Sequence, residues 1–222
     1  YFIPCLPTEN PILDSTYYAR LEKLQPHVRD AQLYGKWDAF EGMYFDMLHP
    51  RIHMIPYHRI PDDLPKYGMI DIGAGHPFTC LWGALYPATK DFPEGRFVIY
   101  REYSRIDKSL DNHKYQINQL CAKDKNIVHY AISHDAFREG LSSEGNKTTI
   151  ERLTQEDQFG PGLNLIKADN NRVAGAMSLA NAFSCEYETV VNAVGDVEFN
   201  IKRYPKIQIM DNCPLLWDSL TS

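Results

Sequence analysis

The stretch YGMIDIGAGHPFTCLWGA, Tyr67–Ala84, decides how the chain is read. An apolar run ends in one aspartate, Asp71, and is followed at once by Gly73, Ala74 and Gly75. A strand that ends in a charge with almost no side-chain bulk behind it suits a close approach by something large or charged. A phosphate, a metal ion and a tight turn all meet that description.

The surroundings narrow the choice. YGMIDIG reads as a strand, FTCLWGALYP as a second and RFVIYREYSR as a third, with a turn near Pro93–Gly95. SLDNHKYQINQLCAK reads as a helix with Ser109 as N-cap and Leu110, Ile117 and Leu120 on one face. NIVHYAISHDAF holds a strand ending at Asp135, KTTIERLTQED a helix, LNLIKA a short strand and NRVAGAMSLANAF a helix rich in small residues. TVVNAVGDVEFNIK alternates like a hairpin turning at Gly195–Asp196, KIQIM is a last strand, and NCPLLWDSL begins a helix. Three hairpin-linked strands followed by alternating strands and helices predict an α/β fold, a mixed sheet flanked by helices, in the ribonuclease-H-like order.

Residues 1–66 read differently. NPILDSTYYARLEKL and VRDAQLYGKW suit two short helices, and the stretch from Phe40 to Tyr67 is broken by Pro50, Pro56, Pro61 and Pro65. This predicts a lead-in segment over 1–66 and the sheet domain over 67–222. His49, His53 and His58 invite a zinc site, but Pro50 and Pro56 break any helix that would align them, and no cysteine lies among them.

Composition sets further bounds. The chain has 222 residues and 44% apolar content, enough for a sizeable core. No apolar run reaches membrane-span length, and the first residues lack the basic start and apolar core of a signal peptide. A start at Tyr1 instead of Met suggests a trimmed chain. Five scattered cysteines without a C-x-x-C pair read as reduced thiols in a cytosolic protein. No Walker phosphate loop is present. The net charge of −6 counts against nucleic-acid binding unless some acids are metal ligands.

The acids then carry the chemistry. Asp71 and Asp135 each end a strand that should be central; parallel neighbours would bring both carboxylates to one sheet edge, where open α/β sheets bind ligands. Such a pair suits Mg²⁺ or Mn²⁺, and two ions about 4 Å apart can act on a phosphodiester. The alternative is that Asp71 caps a turn and Asp135 the next helix. Glu102 is a third acid at that edge, with a salt bridge to Arg101 or Arg105 as its alternative. His134 adjoins Asp135. Arg101, Arg105, Lys108, Lys147, Arg152, Lys167 and Arg172 form a local basic rim for DNA or, alternatively, a solvated charged surface.

With these residues in place the sequence resembles the C-terminal nuclease region of bacteriophage large terminase subunits. TENPILDSTYYARLEKLQPHVRDAQLYGKWDAFEGMYF is similar to the family's segment joining the ATPase motor to the nuclease. MIDIGAGHPFTCLWGA resembles the first catalytic strand with Asp71 in the metal-binding position, FVIYREY places Glu102 at the acid ending a later strand, and YAISHDAF places Asp135 at the second metal-binding aspartate. NRVAGAMSLANAF and IQIMDNCPLLWDSL resemble the helix and the strand–helix unit that follow. The resemblance implies a Mg²⁺- or Mn²⁺-dependent endonuclease that cuts double-stranded DNA during viral genome packaging in the host cytoplasm. The implied partners are the terminase ATPase portion, the small terminase subunit and the portal. The family's third metal-binding aspartate is expected beyond Ser222, with Asp211 or Asp218 as substitutes. The rival readings are another ribonuclease-H-like nuclease, such as a resolvase or integrase-like enzyme, and a non-catalytic portal or motor docking module.

Overall fold

The computed structural model describes Tyr17 and residues 45–73, 76–106, 108–137, 147–191 and 197–222. The two lead-in helices expected before residue 40 lie outside the described residues, except for Tyr17, which is helical. The chain divides into two compact units, 1–46 with 219–222, and 47–218. The second holds the sheet.

Nine strands are described: β1 Met54–Ile55, β2 Lys66–Asp71, β3 Phe78–Tyr86, β4 Arg96–Arg105, β5 Ile127–Ile132, β6 Leu165–Lys167, β7 Glu186–Val191, β8 Val197–Arg203 and β9 Ile207–Met210. The helices are α1 Pro50–His53, α2 Leu110–Cys121, α3 Thr149–Thr154, α4 Arg172–Phe183 and α5 Pro214–Thr221, with a 3₁₀ turn at His134–Phe137. The main sheet has seven strands in the order β1-β9-β4-β3-β2-β5-β6. Only β3 is antiparallel to its neighbours; every other pair in this sheet is parallel. The five strands β4-β3-β2-β5-β6, with the second reversed, are the ribonuclease-H-like arrangement.

One face of this sheet is the core. Ile70, Phe78, Cys80, Trp82, Tyr103, Tyr130 and Ile132 are buried there with Ile117 of α2 and Leu153 of α3. Each such side chain contributes about 1.5–3 kcal/mol when fully withdrawn from water. Gly68 is required by this packing, because a Cβ there would lie 1.9 Å from the Tyr130 ring.

Helix α2 corrects its expected face. Ser109 caps it as read, accepting from Asn112 N–H at 3.3 Å. Its buried residues, however, are His113, Lys114 and Ile117, while Leu120 is exposed. His113 stacks on Phe78 at 4.2 Å and its Nδ1 meets the Tyr103 hydroxyl at 2.9 Å. Lys114 pairs with Asp157 at 3.0 Å and donates to the Gln155 carbonyl. Buried polar groups are tolerated where partners replace water. α3 starts with a Thr148–Glu151 capping box and is tied to α2 by Arg152, whose Nη2 lies 2.8 Å from Asp111.

The sheet also reaches into the segment read as lead-in. Met54 and Ile55 pair with Ile209 and Met210, and Ile52 and His53 are buried. The neutral His53 ring donates from Nε2 to the Phe183 carbonyl at 2.7 Å and accepts His49 N–H at Nδ1, joining α1 to α4. Lys66 is buried with its ammonium on the carbonyls of Pro61, Asp62, Leu64 and Lys125. β7 and β8 form the expected hairpin, whose turn lies outside the described residues.

Burial holds the pKa of both His53 and His113 below the ordinary imidazole value of 6.5. The unfolded chain therefore takes up protons below pH 6.5 that the folded chain resists, and stability falls as pH drops through that window while staying level above it. Urea unfolding at pH 7 and pH 5 should show a lower midpoint at pH 5, and His53→Gln should flatten the difference.

Candidate active site

β2 and β5 are adjacent and parallel, with Ile70 beside Ile132 and Ser133 N–H donating to the Ile70 carbonyl at 3.1 Å. Asp71 is the last residue of β2 and is exposed. β5 stops at Ile132, three residues before the end read from the sequence, and Asp135 stands in the 3₁₀ turn that follows, exposed. The turn forms because the Ser133 carbonyl accepts Ala136 N–H at 3.1 Å. Both aspartates thus emerge at the C-terminal edge of the sheet. Ser133 Oγ and His134 Nδ1 beside them are buried with no hydrogen-bond partner among the described residues.

The glycine after Asp71 has a local reason. A Cβ on Gly73 would lie 2.5 Å from the His76 carbonyl oxygen, which leaves no room for a side chain at this position. The cross-strand register sets Asp71 beside Thr79 and Thr79 beside Ser104, and the two hydroxyls are 3.2 Å apart. A row of one carboxylate and two hydroxyls therefore crosses three strands at this edge.

Glu102 lies deeper in the sheet, beside Leu81, which pairs with Met69. Its carboxylate accepts the N–H groups of Leu215 and Leu216 at 3.0 and 2.8 Å. Glu102 thereby closes the N-terminus of α5, where a negative charge is favoured by unpaired amides and the helix dipole. The alternative reading of Glu102, a salt bridge to Arg101 or Arg105, is not among the ion pairs of the described residues. Of the substitutes for a third acid, Asp211 accepts Tyr57 N–H at 3.0 Å, and Asp218 is exposed on α5. Among the described residues, no three His, Cys, Asp or Glu side chains stand together as a metal cluster.

The basic residues separate. Arg101 does not face solvent at the rim: its guanidinium pairs with Asp124 at 2.5 Å and lies over Trp82 and Tyr100. The irregular register between Trp82 and Gly83 accompanies that turn inward. Lys167 ends β6, beside Ile132, with its ammonium 5.5 Å from the centre of the Phe137 ring, so it adjoins the turn that carries Asp135. Arg105 ends β4 and is exposed. Lys147 donates to Gln155 at 2.6 Å before α3, and Arg172 is exposed at the start of α4. His49 and His53 are engaged in and around α1, and His58 meets the Tyr86 hydroxyl at 2.9 Å.

The described cysteines are free thiols. Burial, with Glu102 nearby, pushes Cys213 up to about 12, and burial also raises Cys80, Cys121 and Cys185, so these are weak nucleophiles at neutral pH. Sequence reading missed Thr79, Ser104 and the buried lysines, because hydroxyls within strands and a lysine in a helical face carry no spacing signal.

Replacing Glu102 by Ala strips both amides of their acceptor and should cost about 1–2 kcal/mol of stability. Glu102→Gln should recover part of that loss, read by urea unfolding.

No protein-family model matches the sequence, and no curated protein matches it. Solved structures do match. The large terminase of a thermophilic bacteriophage is 16% identical, with a TM-score of 0.59 over 98% of this chain and 46% of that one. The same terminase in complex with ADP gives 16%, 0.60, 96% and 45%. The P22 large terminase nuclease domain is 14% identical, with a TM-score of 0.50 over 81% of this chain and 77% of that domain. The chain spans less than half the length of the thermophilic-phage terminase and most of the P22 nuclease domain. Its fold is similar to that of the matched part of a phage large terminase and to that of an isolated terminase nuclease domain.

Proposed function

We propose that this chain is the nuclease portion of a viral DNA-packaging terminase, a metal-dependent endonuclease acting on double-stranded DNA. The observation that carries this reading is that Asp71 ends β2 and Asp135 stands in the turn just after its parallel neighbour β5, both exposed at one edge. Two carboxylates held at one edge repel each other unless a cation or proton intervenes. Their hard oxygens, without thiolates, match Mg²⁺ or Mn²⁺, and the orphaned Ser133 Oγ and His134 Nδ1 leave polar capacity at the same place still unspent. Asp71 and Asp135 would hold the metal, with water and substrate phosphate completing the donor set.

When bound, a pair of such ions supplies Lewis acidity toward water and the scissile phosphate. The chain's own part is positional. The Thr79 and Ser104 hydroxyls can donate to phosphate oxygens along the row from Asp71. Lys167, beside the Asp135 turn, offsets negative charge that gathers there. A site built from strand ends and hydroxyls meets the DNA backbone and not base edges, which suits cutting without sequence preference. The partners in this proposal are an ATPase portion, a small terminase subunit and the portal, assembled in the host cytoplasm.

Plasmid cleavage tests the reading. Wild-type chain should cut with Mn²⁺, and less well with Mg²⁺. Asp71→Asn and Asp135→Asn should each lower the rate about 100-fold or more, with unfolding midpoints retained because both side chains are exposed. Wild-type cleavage by a folded Asp71→Asn chain would sink the assignment.

A further inference from the structure

β9 pairs with β4 only at Phe97–Ile99. Among the described residues the outer edge of β4 beyond Ile99 has no strand beside it. The chain leaves β9 at Asp211, Asn212 ties back to the Tyr100 carbonyl at 3.0 Å, and Glu102 holds the start of α5. Between this edge, α2 and α5 lies an open groove of about 610 Å³. Ser104, Arg105, Lys108, Asn112, Gln116 and Asn212 line it.

Among the described lining residues, Arg105 and Lys108 outweigh Glu102, so the sign differs from the −6 of the whole chain. Arg105 and Lys108 are exposed and have no carboxylate partner among the described residues. The described acids near them are already engaged: Glu102 by the two α5 amides and Asp111 by Arg152. Besides Glu102 the polar lining is hydroxyl and amide, Leu120, Pro214 and Leu215 form an apolar flank on α2 and α5, and the one aromatic ring there, Tyr103, is 7% exposed and unavailable for stacking on a base. Two exposed cations without a carboxylate partner among the described residues, set beside neutral donors and with no stacking platform, match a chain of phosphates better than bases.

Position links the groove to the candidate site. Ser104 is two strands from Asp71 along one row, roughly 10 Å at the usual strand spacing. That is about three base-pair rises along the axis of a DNA duplex.

We propose that this groove binds the phosphodiester backbone of one DNA strand and leads it to the edge carrying Asp71 and Asp135. The proposal rests on the endonuclease reading for its substrate. It is tested by binding, separately from catalysis. Fluorescence anisotropy of a labelled duplex oligonucleotide, titrated with the 222-residue Asp71→Asn chain between about 50 and 200 mM salt, gives an affinity and a salt slope. Adding Arg105→Gln and Lys108→Gln should weaken binding about tenfold at the lowest salt and reduce the slope by about 2, since each phosphate contact contributes roughly 0.9. Arg59→Gln, which removes an exposed cation paired with Asp62, should change neither.

Unchanged affinity and slope in a folded double variant, or no duplex binding by the parent at the lowest salt, would overturn the groove. Hydrolysis of bis(4-nitrophenyl) phosphate with Mn²⁺, compared between the wild-type and Asp71→Asn chains, reports on the endonuclease reading by itself. Loss of the groove effect with Asp71-dependent hydrolysis intact would refute the groove alone. Groove-dependent binding without any Asp71-dependent hydrolysis would support the groove and refute the reading.

Discussion

The parallel pairing of β2 with β5 is the constraint on which the rest depends. Ile70 against Ile132 fixes both direction and register, and the Ser133 N–H bond to Ile70 extends the ladder to its end. Side chains alternate with period two, so a slip of one residue would send Asp71 to the opposite face. β3 contributes by reversing. As the one antiparallel strand of the main sheet, it returns β4 to the direction of β2 and brings Ser104 and Arg105 to the edge that Asp71 and Asp135 occupy.

Buried polar groups secure this frame. Lys66 gathers four carbonyls from the loops around the start of β2 and β5, Lys114 reaches the chain beyond α3, and His53 joins α1 to α4. Each spans segments far apart in sequence. Replacing one partner would strand the other without water, a cost of about 1–3 kcal/mol and more for a charge. Such contacts specify which loop meets which strand, where apolar packing alone discriminates poorly. Glu102 belongs with them, because its charge is directed to the α5 amides and sets where that helix begins.

Net charge is a poor guide to local field in this chain. The total is negative, yet many described acids are bound to cations or amides: Asp124 to Arg101, Asp111 to Arg152, Asp157 to Lys114, Glu102 to α5. The C-terminal edge carries two exposed aspartates, with Arg105 and Lys108 to one side and no carboxylate partner for those cations among the described residues. In the proposed function, that separation lets a divalent ion and a phosphate chain occupy neighbouring places without either charge cancelling the other.

The sequence by itself determined the elements from β2 onward and their order: strands by apolar alternation, α2 by its Ser109 cap, the hairpin by its alternation, and Asp71 by its place at a strand end. Those signals are local, and residues within one element carry them. Only the tertiary structure decided the rest. Arg101 turned inward because a register irregularity opposite Trp82 and a distant Asp124 gave it a partner. His113 and Lys114 took the inner face of α2 because Tyr103, Phe78 and Asp157 met them there. Met54–Ile55 joined the sheet because β9, more than a hundred residues later, offered an edge. The row of Asp71, Thr79 and Ser104 exists only across three paired strands. Partners so remote leave no periodicity in the chain, so register and burial, and not spacing, assembled the site.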